Sequence, residues 1–323
     1  MPLMTTAAPT VGRGTLDGFD TVTLAAGLLE TAFVPRAGMV GVSLRHAGEE
    51  LLDRQAGLST YVARGAVMGI PVLHPWANRL AGFDYAVDGR TVRLPVGPPL
   101  VRCEEHGLPI HGLLSGSPHW HVRRTFRDAR RARLSAVLDF GAHPELLAAF
   151  PFPHTLALDA TLDPEGLTIA TTLTATGAVP VPVAFGFHPY LRLPGADRST
   201  WRLELPARRH LFADARSIPT GHDEDERPSR LTLGSRSFDD GFAGIAEGSE
   251  FAVAGGGRRI TVTFVKGYPV AQVFSPPGAQ FVCFEPMTAP TNVLRSGDGL
   301  RRVRPGGSST AVFRIGVTAP VLA

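Results

Sequence analysis

The chain has 323 residues, 44% of them hydrophobic and 19% charged, and its 36 glycines and 28 prolines leave little room for long uninterrupted helices. Two domains would fit this length, but all-β domains of about 250 residues occur as one unit. The formal charge of +3 is spread along the chain. No Lys/Arg block carries interleaved aromatics, so nucleic acid is not an expected partner.

From the N-terminus, Met1 to Arg13 has Thr/Ala/Pro character and lacks a basic segment followed by an apolar one, so it does not read as a secretory signal. Residues 1–15 are expected to be a flexible N-terminus. No apolar run approaches the ~20 residues that span a bilayer, which makes a soluble, cytoplasmic protein with no membrane partner the expectation. The two cysteines, Cys103 and Cys283, are far apart and form no CxxC. They read as two buried, reduced thiols rather than a disulfide or a thiolate zinc site.

Short apolar or alternating runs recur between turn residues: Thr21 to Leu24, Thr91 to Leu94, Leu134 to Phe140, Leu167 to Leu173 and Ile260 to Val265. Thr, Val, Phe and Leu in such runs, with Gly, Pro and Asp between them, predict strands. The intervening helices of a parallel βαβ sheet are missing from the pattern, so the expected fold is an antiparallel sandwich or barrel. Glu145 to Ala149, between Pro144 and Pro151, is one of few helical candidates. The charged stretch Gly221 to Ser229 reads as an exposed loop. With no fixed-period repeat and no low-complexity linker, residues 16–323 are expected to form one large β domain.

Candidate chemistry lies where ionisable residues interrupt apolar, Gly/Pro-bounded segments. In Gly69 to Gly82, Asn78 and Arg79 follow a proline-stiffened aromatic stretch, and an amide beside a guanidinium suits hydroxyl recognition. A bland alternative is an arginine bound to a loop carbonyl. In Pro109 to Leu113, His111 precedes a glycine that permits close approach; His106 lies nearby, but two histidines at that spacing make no metal site and no third ligand is indicated. In Val183 to Leu191, His188 is the single group that titrates near neutral pH, and burial would lower its pKa unless a carboxylate stood beside it. In Val282 to Leu294, Glu285 interrupts a hydrophobic stretch, where a carboxylate is costly unless paired or hydrogen-bonded. His188 and Glu285 could each explain the other.

There is no GxxxxGK[ST] loop, no GxGxxG after a strand, no GxSxG elbow and no HExxH. Nucleotide, hydride and zinc-peptidase chemistry are disfavoured. Acid–base work on a small polar molecule remains.

The stretches Pro-Trp-Ala-Asn-Arg at 75 to 79, Ile-His-Gly at 110 to 112, Gly-Phe-His-Pro-Tyr at 186 to 190, Tyr-Pro-Val-Ala-Gln-Val-Phe-Ser-Pro at 268 to 276 and Cys-Phe-Glu-Pro-Met-Thr at 283 to 288 resemble, in order, those of the aldose 1-epimerase (mutarotase) family of the galactose mutarotase-like superfamily. Phe238-Asp-Asp-Gly-Phe242 resembles the family's Asp-x-x-aromatic element, favouring Asp239 over Asp240. The resemblance implies a large single-domain antiparallel β-sandwich, the galactose mutarotase-like supersandwich. It implies interconversion of the α and β anomers of a free sugar, with no metal or other cofactor. His188 would protonate the ring oxygen while Glu285 removes the C1 hydroxyl proton, both with pKa values near working pH. Arg79, His111 and Asp239 would hold sugar hydroxyls, with Asn78 binding or ordering Arg79. Trp76 would stack on the sugar or lie in the core, and Gln272 would be a further hydroxyl contact. The expected partner is a monosaccharide. A mutarotase for phosphorylated hexoses and a sugar-binding or sensory protein without activity are the alternatives; the Trp-Ala-Asn-Arg segment looks more like the non-phosphorylated subgroup.

Overall fold

In the computed structural model, which describes residues 8–97 and 100–319, the chain is built of antiparallel sheets. Alternation creates them. In Ala132–Asp139 the residues Ala132, Leu134, Ala136 and Leu138 are buried while their neighbours are more exposed, the period-two pattern of a strand with one face in the core. Three expected strands lie within Phe19–Ala26, Gly166–Ala175 and Arg258–Lys266, and two overrun Arg90–Arg93 and Ala132–Asp139 by one residue, at Leu94 and Phe140. The helical segment at 145–149 lies in Pro144–Ala149.

A nine-stranded sheet runs from Ser229–Thr232 at one edge to His121–Arg127 at the other, with Ser308–Thr318 at its centre. An eight-stranded sheet carries Phe238–Ala243, Val270–Ser275 and Val282–Met287 side by side. The two face each other across an aromatic core. Phe187 meets Phe313 with ring centroids 4.9 Å apart, and Phe284 meets Phe251 at 5.6 Å. This is the all-β sandwich that the strand pattern predicts.

Two expectations are corrected at the edges. The expectation of a flexible N-terminus over residues 1–15 fails from residue 10 onward, because Thr10–Leu16 forms a strand that pairs along its length with Phe19–Ala26; residues 1–7 lie outside the described residues. Gly221 to Ser229 is not a loop, because Pro219–Glu226 and Ser229–Thr232 are edge strands of the two large sheets. Glu226 and Asp225 of the first pair across the ladder with Arg208 and Arg209, and Arg208 makes an ion pair with Glu226. A charged edge strand resists pairing with a second molecule, which is why its composition resembles that of a loop. Of the two thiols, Cys283 is buried but Cys103 is only half-buried; both are free.

His74, just after the strand Val72–Leu73 of the eight-stranded sheet, and His154, at the start of His154–Asp163 in the nine-stranded sheet, are fully buried with their Nε2 atoms 2.8 Å apart. His154 Nδ1 lies 2.6 Å from the Phe152 carbonyl, to which it can only donate. His154 Nε2 must therefore accept from His74 Nε2–H, which fixes both tautomers as neutral. Burial drives both pKa values down, that of His154 to about 4.

Candidate active site

Strand register sets the central pair. Gly186 pairs with Met287 and Tyr190 with Cys283 on the same neighbouring strand, so His188 lies directly across from Glu285. Its Nε2 stands 3.2 Å from Glu285 Oε1, and both side chains are almost wholly buried. Three aromatic rings hold the imidazole: Tyr190 stacks on it at 4.4 Å, while His111 and Phe274 meet it edge-on at 5.3 and 5.7 Å.

Burial is the leading cause of the pKa shift on each partner. It lowers His188 to about 3, assisted by Arg102 and Arg79, and raises Glu285 well above the usual carboxylate range, with Asp239 adding to the rise and Arg79 opposing it. An imidazolium facing a carboxylate was the expected ground state. Burial instead favours the neutral form of each group, a protonated Glu285 beside an uncharged His188. Moving that one proton across the contact yields the ionic form without changing the net charge of the pair.

The second group comes from segments with unusual backbone. Asn78 and His111 both adopt positive φ, 55° and 66°, and the His111 N–H donates to the Asn78 carbonyl at 2.9 Å. Gly112 follows at φ 73°, where an added Cβ would come within 2.2 Å of the His74 carbonyl oxygen. Only glycine fits there. A non-glycine residue held in this region stores strain, and such positions cluster at functional sites. Arg79 donates to Asn78 Oδ1 at 3.1 Å and to Asp239 Oδ2 at 3.2 Å, and its Nε makes an ion pair with Glu104 Oε2 at 3.6 Å. Gln272 Nε2 donates to the other oxygen of Asp239 at 2.7 Å. Of the two adjacent aspartates Asp239 joins this network, whereas Asp240 points to His210, 3.2 Å away.

Asn78, Arg79, His111, His188, Asp239 and Glu285 line one cavity of about 400 Å³. That volume falls within the range of about 300–1,000 Å³ typical of small-molecule sites. Two expected contacts are absent from its wall. Trp76 is fully buried in the hydrophobic core and does not reach the cavity, so it is corrected to a core residue. Gln272 stands behind Asp239 and orients it. Arg102, Glu104, Glu105, Tyr190 and Phe274 also line the cavity, and sequence reasoning did not single them out. Arg102 and Glu104 are brought there by the turn in which Cys103 bridges Pro109 and the Ile110 N–H donates to the Arg102 carbonyl. The run of charge at 102–106 just before Ile-His-Gly was the available signal. Glu104, Glu105 and His106 place donor atoms within 4.8 Å of one another, so this rim contains potential metal ligands.

A family model described as aldose 1-epimerase matches residues 20–316. The chain belongs to the aldose 1-epimerase family. The uncharacterized Escherichia coli K12 protein YihR is 25% identical over 285 residues, which cover 80% of this chain and 87% of that one. A galactose mutarotase-like protein of Clostridium acetobutylicum has the same fold, with a TM-score of 0.84 at 19% identity over 97% of this chain and 99% of that one. Galactose 1-epimerase of Lactobacillus acidophilus superposes with a TM-score of 0.76 at 14% identity, over 97% and 99% of the two chains. No helix among the described residues is long and apolar enough to cross a membrane.

Proposed function

We propose that the protein is an aldose 1-epimerase that interconverts the α and β anomers of a free hexose. The observation that carries this reading is the contact of 3.2 Å between His188 and Glu285 at the wall of a cavity also lined by Asn78, Arg79, His111 and Asp239. Pure sugar binding needs no acid and base in contact. Anomerisation needs both, because one proton must leave the C1 hydroxyl as another reaches the ring oxygen.

In the reactive form the shared proton sits on His188 and Glu285 is ionised, a form that the positive charge of Arg79 favours at the carboxylate. Glu285 takes the proton of the C1 hydroxyl, whose O–H electrons form the C1 carbonyl. The bond between C1 and the ring oxygen breaks, its electron pair goes to that oxygen, and His188 protonates it. Rotation about C1–C2 presents the other carbonyl face. Reclosure runs both transfers backwards, with Glu285 returning its proton to the new C1 hydroxyl. Arg79, Asp239 and His111 hold hydroxyls and keep the open chain from tumbling, and Asn78 orients Arg79.

The charge of the wall supports an unphosphorylated sugar. The His188–Glu285 pair carries no net charge in either form, and around it Arg79 and Arg102 face Glu104, Glu105 and Asp239, so acidic groups outnumber basic ones. A phosphate would meet net repulsion there.

Polarimetry or anomer-exchange NMR with freshly dissolved α-glucose and α-galactose tests the reading. Acceleration above the buffer rate is the expected result. Sugar binding with no acceleration would make the protein a binder instead.

A further inference from the structure

A second constellation stands apart from the sugar cavity. His119 lies in the turn before the strand His121–Arg127, while His143 and Glu145 flank Pro144 at the start of Pro144–Ala149. Glu145 Oε1 is 2.9 Å from His119 Nε2 and 3.8 Å from His143 Nδ1, and one donor atom from each residue lies within 4.8 Å of the others. We propose that His119, His143 and Glu145 form a binding site for Zn²⁺ or a neighbouring first-row divalent cation.

The donor set is two imidazole nitrogens and one carboxylate oxygen, the ligands of an open tetrahedral zinc site with one position left for water. Ligand atoms at zinc bond lengths of ~2.0–2.2 Å in tetrahedral geometry stand about 3.3 Å apart. The two observed separations from Glu145 Oε1 lie on either side of that value, so the carboxylate needs to move by less than an ångström or so. The imidazole rings stack at 3.7 Å with planes 24° apart. A shared ion must lie in both ring planes, which stacked rings do not allow, so capture requires the two imidazoles to unstack by side-chain rotation. All three side chains are part-exposed, and His χ2 is a soft torsion. His119 and Glu145 also line a cleft of about 370 Å³, with Val62, Leu113 and Leu146 on its apolar side, which gives an ion a path of entry. Bound there, the ion would tie the turn at 115–120 to the segment at 139–149.

The experiment uses the full chain, stripped with a chelator and dialysed, with Zn²⁺ alone as the probe in titration calorimetry. Co²⁺ absorption reports the geometry. One ion per chain with saturable binding is expected, as is a rise in thermal midpoint on Zn²⁺ addition. His119→Ala and Glu145→Gln should each weaken binding at least ~10-fold, since even outer partners of metal ligands are worth that much. Glu145→Gln keeps the size of the side chain and guards against misreading an unfolded variant; its circular dichroism without metal should match the parent. Three results would overturn the proposal: no saturable binding up to ~1 mM, binding that survives both substitutions, or binding that is lost instead in His106→Ala.

Discussion

Glu285, on the strand Val282–Met287, faces His188, which lies between the short strands Gly186–Phe187 and Tyr190–Leu191 paired to it, with an N···O distance of 3.2 Å, and burial pushes their pKa values in opposite directions. Under the proposed function the two act as a unit that exchanges one proton with the sugar, and the expected behaviour of the protein follows from that unit.

Glu285→Gln and His188→Asn should each lower kcat by at least ~10²-fold, the usual contribution of a positioned acid or base, with little change in fold. Anomer-exchange NMR at saturating sugar reads this directly. Near-normal turnover in either variant would mean that the roles are misassigned.

The pH–rate profile should be flat through the neutral region. A second proton can enter the pair only when His188 becomes protonated while Glu285 keeps its own, and burial has moved the His188 pKa from 6.5 to about 3. The acid limb of the enzyme-dependent rate therefore lies well below 6.5. The alkaline limb falls where Glu285, raised above the carboxylate range, finally loses the shared proton. An acid limb centred on 6.5 would contradict the closed neutral pair.

Gln272→Ala should act on binding rather than chemistry. Its amide holds Asp239 at 2.7 Å without lining the cavity, so its loss frees a hydroxyl acceptor to wander. A hydrogen bond to a charged, part-exposed group is worth about 1 kcal/mol here, about five-fold in KM, with kcat within about two-fold. A kcat loss exceeding the KM change would place Gln272 in the proton path.

Stability should fall on acidification through the histidine range. His74 and His154 are neutral in the folded protein and take up protons near 6.5 when unfolded. Between 6.5 and the folded value of about 4 for His154, the unfolded chain binds more protons. The contribution is complete above 6.5 and is lost as pH drops, up to about 3 kcal/mol for His154 alone. Glu285 contributes the opposite slope at higher pH, but equally in parent and variant. Denaturant midpoints from pH 7.5 to 4.5 should therefore slope less steeply in His154→Gln than in the parent. Parallel curves would show that the histidine pair is not the origin.

The all-β architecture was legible because the strand faces alternate strongly, and the charged edge at 219–226 was not, because an edge strand facing water has the same composition as a loop. His188 and Glu285 stood out as single ionisable groups in apolar runs, and their register explains how they meet. Trp76 could not be assigned from sequence, since a buried tryptophan and a stacking one share the same neighbours in the chain. Arg102 and Glu104 escaped notice because their place at the cavity depends on bridges to Pro109 and Ile110, which no periodicity announces.

The ladder that pairs Tyr190 with Cys283 and Gly186 with Met287 has a consequence for how the chain tolerates change. Because neighbouring strands, and not the connection between them, align His188 with Glu285, lengthening an exposed turn such as Gly256–Gly257 should leave the pair untouched. Deleting one residue inside Val282–Met287 would turn the carboxylate to the far side of its sheet.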